Sequence, residues 1–135
     1  MTTQVRFVLL LCLSLPFVGC TQNNQVTVSG TVKVDNSPVP GGFISFTAPD
    51  GSTATDGAEI VNGHYKIKTV RGEKKVKIRG TKNVPTTVYD AVSKKTYTGE
   101  EPVLITPPVY ETDNSPLKVT IEKNGEVHDF DIPSK

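Results

Sequence analysis

From Gln25 onward, the chain consists of short runs in which apolar and polar residues alternate, and each run ends at a cluster of Gly, Pro, Asn or Asp. The first run covers 26–34 and the second covers 43–47. No stretch keeps a 3.6-residue apolar period over three turns, so the sequence predicts an all-β domain. Gly30 interrupts the first run and predicts a bulge or a close approach of another segment. At 135 residues, the chain has room for one domain with a real core.

The first of two Asn-Gly pairs, Asn62-Gly63, predicts a tight β-hairpin, because a two-residue type I′ turn favours this dipeptide and sets the register. Val61 would then lie opposite His64. Glu59 would lie opposite Lys66, an attractive cross-strand pair on the polar face. The inward face would collect Ala58, Ile60, Tyr65 and Ile67.

The second pair, Asn124-Gly125, predicts a hairpin by the same reasoning. His128 would lie opposite Ile121 on the apolar face, and Lys118 would lie opposite Asp131 on the polar face. The residues that share the inward face of this hairpin are Leu117, Val119, Ile121, Phe130 and Ile132.

A basic strand is predicted between the two hairpins, at 74–79. Its alternation directs Val76 and Ile78 inward and the side chains of Lys75, Lys77 and Arg79 outward. Residues 66–82 hold eight basic side chains and one acidic side chain. Such a ribbon is suited to an anionic membrane surface or an acidic polysaccharide, and these three outward residues are its candidate contacts. The alternative, which we prefer, is a solvated strand face neutralised by acidic neighbours such as Glu59.

Residues 81–116 are predicted to form a long connection, since they contain five prolines and little regular alternation. Short strands are candidates at 84–89, 96–98 and 103–106. A connection of this length inside a compact domain is usually functional or mobile. Tyr89 and Tyr97 are its candidate glycan contacts, provided that they share an exposed face with Tyr110. If Tyr110 packs inward, the glycan-binding hypothesis is weakened.

The N-terminus has the layout of a signal peptide, with Arg6 followed by an apolar run at 7–18 that is too short to span a bilayer. Residues 17–20, Phe-Val-Gly-Cys, resemble the lipobox of bacterial lipoproteins, whose cysteine thiol is acylated before cleavage. The alternative is ordinary secretion with an incidental Cys20. We predict a lipoprotein signal peptide at 1–19, a lipidated Cys20 and a polar tether at 20–25. By resemblance to sorting rules, Thr21 favours the outer membrane.

Cleavage before Cys20 would leave no second cysteine, so the mature domain would contain no disulfide. The whole chain holds 15 Lys and Arg residues against 14 Asp and Glu residues. An exported domain with balanced charge is a poor partner for nucleic acid. Its expected partners are the membrane, through the lipid anchor, and an envelope protein or polysaccharide.

No catalytic or metal site is predicted from the motifs. The two histidines, His64 and His128, have no metal-ligand spacing, and the chain contains no Gly-x-Ser-x-Gly elbow. The segment 50–57 lacks the alternating oxygen ligands of a calcium loop. We therefore expect neither a cofactor nor an enzyme. An enzyme would require a histidine that meets a carboxylate in a pocket.

Three segments, 28–32, 37–46 and 56–67, resemble the carboxypeptidase regulatory-like family in their V-x-G-x-V, Pro-Gly turn and D-G-x-Y rhythm. The tail, 107–110 and 115–132, is similar to the closing segment of small bacterial lipoproteins built on this domain. The resemblance implies a single antiparallel β-sandwich of the transthyretin-like (prealbumin-like) fold over 26–135. It specifies no activity. The predicted function is a non-catalytic, membrane-anchored structural or interaction module of the envelope, with a glycan-binding accessory module as the alternative.

Overall fold

The computed structural model describes residues 24–135, so the predicted signal peptide, Cys20 and most of the tether lie outside the described residues. Within 24–135, no helix is long and apolar enough to cross a bilayer. A 3₁₀ helix at Pro108–Glu111 lies between the seventh and eighth strands. The ten strands of this region are β1 (Gln25–Val34), β2 (Ser37–Pro38), β3 (Gly41–Thr47), β4 (Asp56–Val61), β5 (His64–Val70), β6 (Gly72–Asp90), β7 (Lys95–Leu104), β8 (Lys118–Ile121), β9 (Glu126–Val127) and β10 (Phe130–Ile132).

All ten strands belong to one curled sheet, and the all-β prediction is confirmed. The main path runs β10-β1-β5-β4-β3-β6-β7, with β2 and β9 paired to β1 and β8 paired to β6. The ladders are antiparallel except for those of β9 and β10, which run parallel to β1. Curling brings the inner faces of the two halves of the path together around one apolar core.

The core contains side chains from both halves of the sheet. Phe46 of β3 lies edge-on to Tyr65 of β5, with ring centroids 6.1 Å apart, and Tyr65 lies 6.2 Å from Phe130 of β10. The Tyr65 hydroxyl donates to the carbonyl oxygen of His128 at 2.8 Å, which satisfies its polar end. The other buried apolar side chains of this core are Val26, Val28, Val32, Val39, Ile44, Ile60, Ile67, Val76, Ile78, Ile121 and Ile132.

The turn at Asn62-Gly63 forms as predicted, with positive φ at both residues (50° and 79°) and Val61 opposite His64. The rest of the predicted ladder is wrong. The register between β4 and β5 contains that single pair, whereas Glu59 is in register with Phe43 of β3 and Lys66 with Ser29 of β1. The two strands remain neighbours in the sheet path. Their inward residues are nevertheless those that the alternation predicts.

The hairpin predicted at Asn124-Gly125 is also wrong. β8 pairs with β6, whereas β9 and β10 pair with β1, so the two sides of the turn go to different strands. Asn124 instead holds the chain against β1, because its Oδ1 accepts from the backbone N–H of Thr27 at 2.8 Å. The backbone N–H of Gly125 donates to the carbonyl of Thr27 at the same distance. Ile121, Phe130 and Ile132 still point into the core.

Asp129 fastens the C-terminal segment to β1. Its Oδ1 accepts from the hydroxyl of Thr31 at 2.8 Å and from the backbone N–H of Thr31 at 2.7 Å. These two hydrogen bonds, the hydroxyl first, lower the pKa of the Asp129 carboxyl, with a smaller contribution from the positive charge of Lys33. The folded protein therefore favours the ionised form.

Acid is expected to weaken the fold partly through Asp129. Because its folded pKa lies below the unfolded value of about 3.9, its contribution is complete above that pH and is lost as the pH falls through the folded pKa. Urea unfolding between pH 7 and pH 3 should show a declining free energy of unfolding, with a shallower decline for Asp129→Asn. Thr31→Val should give an intermediate slope, since it keeps only the backbone bond. Equal slopes for all three proteins would contradict this role.

Candidate interaction surface

The outward side chains of β3 and β6 form one surface, because residues directly opposite each other in an antiparallel pair share a face. Phe43 lies opposite Arg79, and Ser45 lies opposite Lys77. We call this surface, which points away from the core, the outer face. The Phe43 side chain is 59% exposed on it. Depressions of about 320 Å³ and 370 Å³ share Phe43 and Arg79 in their linings. The outer face thus presents an aromatic ring beside a guanidinium group.

The side chains of Lys75, Lys77 and Arg79 on β6 point outward, as the alternation predicts, and a carboxylate or a carbonyl group of the chain itself contacts each of them. The Lys77 ammonium lies 3.1 Å from Oδ1 of Asp113, and the Lys75 ammonium donates to the Asp113 carbonyl at 2.7 Å. Arg79 Nε lies 3.7 Å from Oε2 of Glu111. The hydrogen bond from Lys77 lowers the pKa of Asp113, and the charges of Lys77 and Lys75 add to this effect. Of these three basic groups, the guanidinium of Arg79 is the most available to a partner.

These acidic residues lie on a segment that we call the strap, residues 105–117, which runs along one edge of β6. At one end, the Gly80 carbonyl accepts from the Ile105 N–H at 2.9 Å, and the Gly80 N–H donates to the buried hydroxyl of Thr106 at 3.0 Å. At the other end, the buried Ser115 hydroxyl donates to the Val76 carbonyl at 2.6 Å. Tyr110 packs against the core between the two anchors. The strap is therefore an ordered part of the sheet's edge.

The rest of the predicted connection is a β-hairpin, which we call the arm, formed by residues 82–90 of β6 and by β7. Its ladder is continuous from Lys82 opposite Val103 to Asp90 opposite Lys95. At the tip, the Asp90 carboxylate accepts from the Val92 N–H at 2.9 Å and from the Ser93 hydroxyl at 2.7 Å. The predicted strands at 84–89 and 96–98 lie within two long strands, whereas the one predicted at 103–106 overlaps only the last two residues of β7. All ten residues of β7 are exposed.

The candidate glycan contacts do not form one platform. Tyr89 is 61% exposed and Tyr97 is 54% exposed, both on the arm. Tyr97 lies opposite Val88, and Tyr89 lies opposite Thr96, so the two rings point to opposite faces of the arm. Tyr110 packs inward, as described above. This arrangement does not support the stacking surface that a glycan would need.

The burial of Lys74 on β6 was not predicted from the sequence, although the alternation places this residue on the same inward face as Val76 and Ile78. Its side chain is only 1% exposed, and its ammonium donates to the Thr53 hydroxyl at 3.2 Å. It lines a depression of about 350 Å³ together with Asp50, Arg71 and Glu73. The two cationic and two anionic side chains balance, so the lining favours neither an anion nor a cation.

Lys74→Met is expected to stabilise the protein by about 1 kcal/mol, because methionine keeps the buried methylene packing and removes the cost of desolvating an ammonium group. Thermal unfolding followed by circular dichroism should show a higher Tm. Lys68→Met, at an exposed position of the preceding strand β5, should change the free energy of unfolding by less than about 0.5 kcal/mol. A lower Tm for the Lys74 variant would show that the ammonium contacts stabilise the fold.

The histidines are on separate elements. His64 is exposed at the start of β5. His128 is partly buried, with Nε2 3.0 Å from Oε2 of Glu126. The other Glu126 oxygen accepts from the backbone N–H groups of Glu122 and Lys123, so this carboxylate serves the turn. Among residues 24–135, no three His, Cys, Asp or Glu side chains come together to hold a metal ion.

Comparisons with known proteins do not assign the chain to a family. No protein-family model matches the chain, and no curated protein matches it. A 9R-lipoxygenase from Cyanothece PCC8801 is 11% identical with a TM-score of 0.35, and the match covers 82% of this chain and 16% of that one. A leucine-rich repeat protein from Bacteroides thetaiotaomicron VPI-5482 is 13% identical with a TM-score of 0.36, over 82% and 12% of the respective chains. At such TM-scores, neither likeness informs fold or function.

Proposed function

We propose that this protein is a non-catalytic module of the bacterial envelope that is held on a membrane by a lipid at Cys20 and binds a protein partner through its arm. The exposed structure of the arm is the main observation that supports an interaction role. The arm is a nine-pair ribbon whose second strand is exposed along its whole length. Exposed apolar side chains on such a ribbon, here Val88 and Tyr97 as one cross-strand pair, are typical of a surface that meets another protein.

The membrane anchor rests on the sequence of the N-terminal segment. Four residues lie between Cys20 and Gln25, where β1 begins, so five Cα–Cα steps separate these two residues. A fully extended tether of this length reaches about 17 Å at most. An acylated Cys20 would therefore hold the sheet close to the head groups, and several acyl chains would make the attachment effectively permanent. Thr21 favours the outer membrane, on its periplasmic or outward surface.

The finer fold assignment is also a proposal. The curled sheet, with one core enclosed by its two halves, is compatible with the transthyretin-like sandwich that the carboxypeptidase regulatory-like resemblance implies. Domains of that kind commonly assist, bind or stiffen larger assemblies. This role agrees with a chain whose best-defined surface is a binding ribbon and whose histidine–carboxylate pair serves a turn.

Photo-crosslinking in the producing bacterium tests the interaction role. A photoreactive amino acid at Val88, on the arm, should give a discrete crosslinked product in the membrane fraction. The same group at Val127, which is 65% exposed on β9, should not give that product. Cys20→Ala should release the chain from the membrane and reduce the yield. Absence of a product at Val88, or equal products at both positions, would contradict an arm-mediated role.

A further inference from the structure

The arm has one free edge that is suited to pairing with another strand. β7 is the last strand of the sheet path, and its only ladder among the described residues is with β6. A free edge presents unpaired N–H and C=O groups, which are a template for a further strand. An isolated two-stranded ribbon is also only marginally stable in water, so added strands would stabilise the arm. The arm is thus a two-stranded sheet that lacks neighbours.

The opposite edge of the arm is less suitable. There, residues 82–90 of β6 extend beyond the end of β3, whose last pair with β6 is Gly41 with Thr81. Pro85 stands in the middle of this stretch. Proline on an edge strand has no N–H to donate and discourages pairing. In β7, the one proline is Pro102, close to the base of the arm, which leaves 95–101 free to pair.

We propose that β7 pairs in antiparallel fashion with β7 of a second copy of this chain, around a two-fold axis at Thr98. This inference rests on the proposed interaction role of the arm and names its partner. The two ribbons would join into a four-stranded sheet. A two-fold contact of this kind is isologous, so one self-complementary strand is sufficient to form it.

The residue pattern of β7 favours a second copy of this chain as the pairing partner. With Thr98 on the axis, Lys95 lies opposite Glu101 of the other chain, and the symmetry provides this opposite-charge pair twice. Tyr97 lies opposite Gly99 of the other chain. Nothing lies within 4 Å of the position that a Gly99 Cβ would occupy, so the site has room for a ring. Aromatic residues across from edge glycines stabilise sheets.

Two-fold axes at the adjacent residues, Tyr97 and Gly99, give less favourable cross-strand pairs. With the axis at Tyr97, Lys95 would oppose glycine and the charge pair would be lost. With the axis at Gly99, Lys95 would oppose Val103 and Pro102 would enter the ladder opposite Thr96. A two-fold axis perpendicular to the sheet also keeps Val88 and Tyr97 of both copies on one side, since these residues share a face of the arm. The pairing would therefore join two apolar ribbon faces into one.

The pairing can be tested by charge reversal in the full-length protein, purified in a mild detergent. Sedimentation velocity over a concentration series should show a monomer–dimer equilibrium. Lys95→Glu should raise the dimer Kd by about tenfold, because two attractive pairs become repulsive. Adding Glu101→Lys to that variant should restore the original Kd to within about threefold. Lys82→Glu, on the same face but on β6, should leave the Kd unchanged.

Hydrogen–deuterium exchange locates the contact. Amides of 96–100 should become protected as the protein concentration rises, and Lys95→Glu should abolish that protection. A monomer at all concentrations up to about 0.5 mM, or a dimer indifferent to both charge variants, would overturn the proposal. A Val88 crosslink with the mass of two copies supports it. A crosslink to a different protein would overturn the proposed self-pairing but would leave the proposed function intact. If no crosslink forms at Val88, the proposed function is overturned as well.

Discussion

Gly30→Ala is expected to destabilise the protein by about 3 kcal/mol or to prevent folding, because an added Cβ has no room. That Cβ would overlap the carbonyl oxygen of His128. The same oxygen accepts the hydroxyl of Tyr65, and the neighbouring His128 N–H donates to Ser29 at 2.9 Å. The C-terminal segment could not retreat without breaking these bonds. Chemical denaturation followed by circular dichroism measures the loss.

Gly57→Ala is the matched control. Gly57 also lies within a strand, and the nearest atom to its added Cβ is a carbonyl oxygen at an ordinary 3.8 Å. Its effect should be below about 0.5 kcal/mol. Similar losses for the two variants would show that β-strand propensity, and not the contact with His128, explains the result.

Phe46→Ala is expected to cost about 4 kcal/mol, because it empties a fully buried site at the centre of the core. The Phe46 ring bridges the two halves of the curled sheet through its edge-on contact with Tyr65. The cavity would therefore weaken the contact between the halves, and ring-pair energy would be lost in addition to buried area. Urea denaturation should show a midpoint shifted far below that of the natural protein.

Phe43→Ala, three residues earlier on the same strand, controls for loss of an aromatic residue from β3. Because Phe43 is exposed on the outer face, its removal should change stability by less than about 0.5 kcal/mol. A large loss from Phe43→Ala, or a small loss from Phe46→Ala, would contradict the assignment of inner and outer faces.

Alternation along the chain predicts which side chains are inward, and this part of the fold could be obtained from the sequence. Ile60, Tyr65, Ile121 and Phe130 are all buried as predicted. Gly30 is likewise the predicted point of close approach. These features depend on local periodicity and sterics, which a single sequence records directly.

Strand pairing could not be obtained in the same way. The Asn62-Gly63 turn forms, yet its ladder ends after one pair, and Asn124-Gly125 joins strands with different neighbours. Alternation gives the face of a strand but does not distinguish its partners, since every partner with an apolar face satisfies it. The parallel pairing of β10 with β1 is a long-range contact without a local signal.

The candidate surface was predictable only in part. Outward directions for Lys75, Lys77 and Arg79 follow from alternation, whereas their contacts with Asp113 and Glu111 depend on the path of the strap. Prolines across 81–116 indicated an irregular connection. They were outweighed by the β-branched and aromatic residues of 84–89 and 96–98, which form the arm.

The most direct test of the central claim, an anchored module, is the intact mass of the protein extracted from membranes of a producing bacterium. We predict a chain that begins at Cys20 and carries added acyl mass. Cys20→Ala should lose both the acyl mass and the membrane association, whereas Cys12→Ala, within the predicted signal peptide, should retain both. An unacylated, freely soluble natural chain would contradict the account.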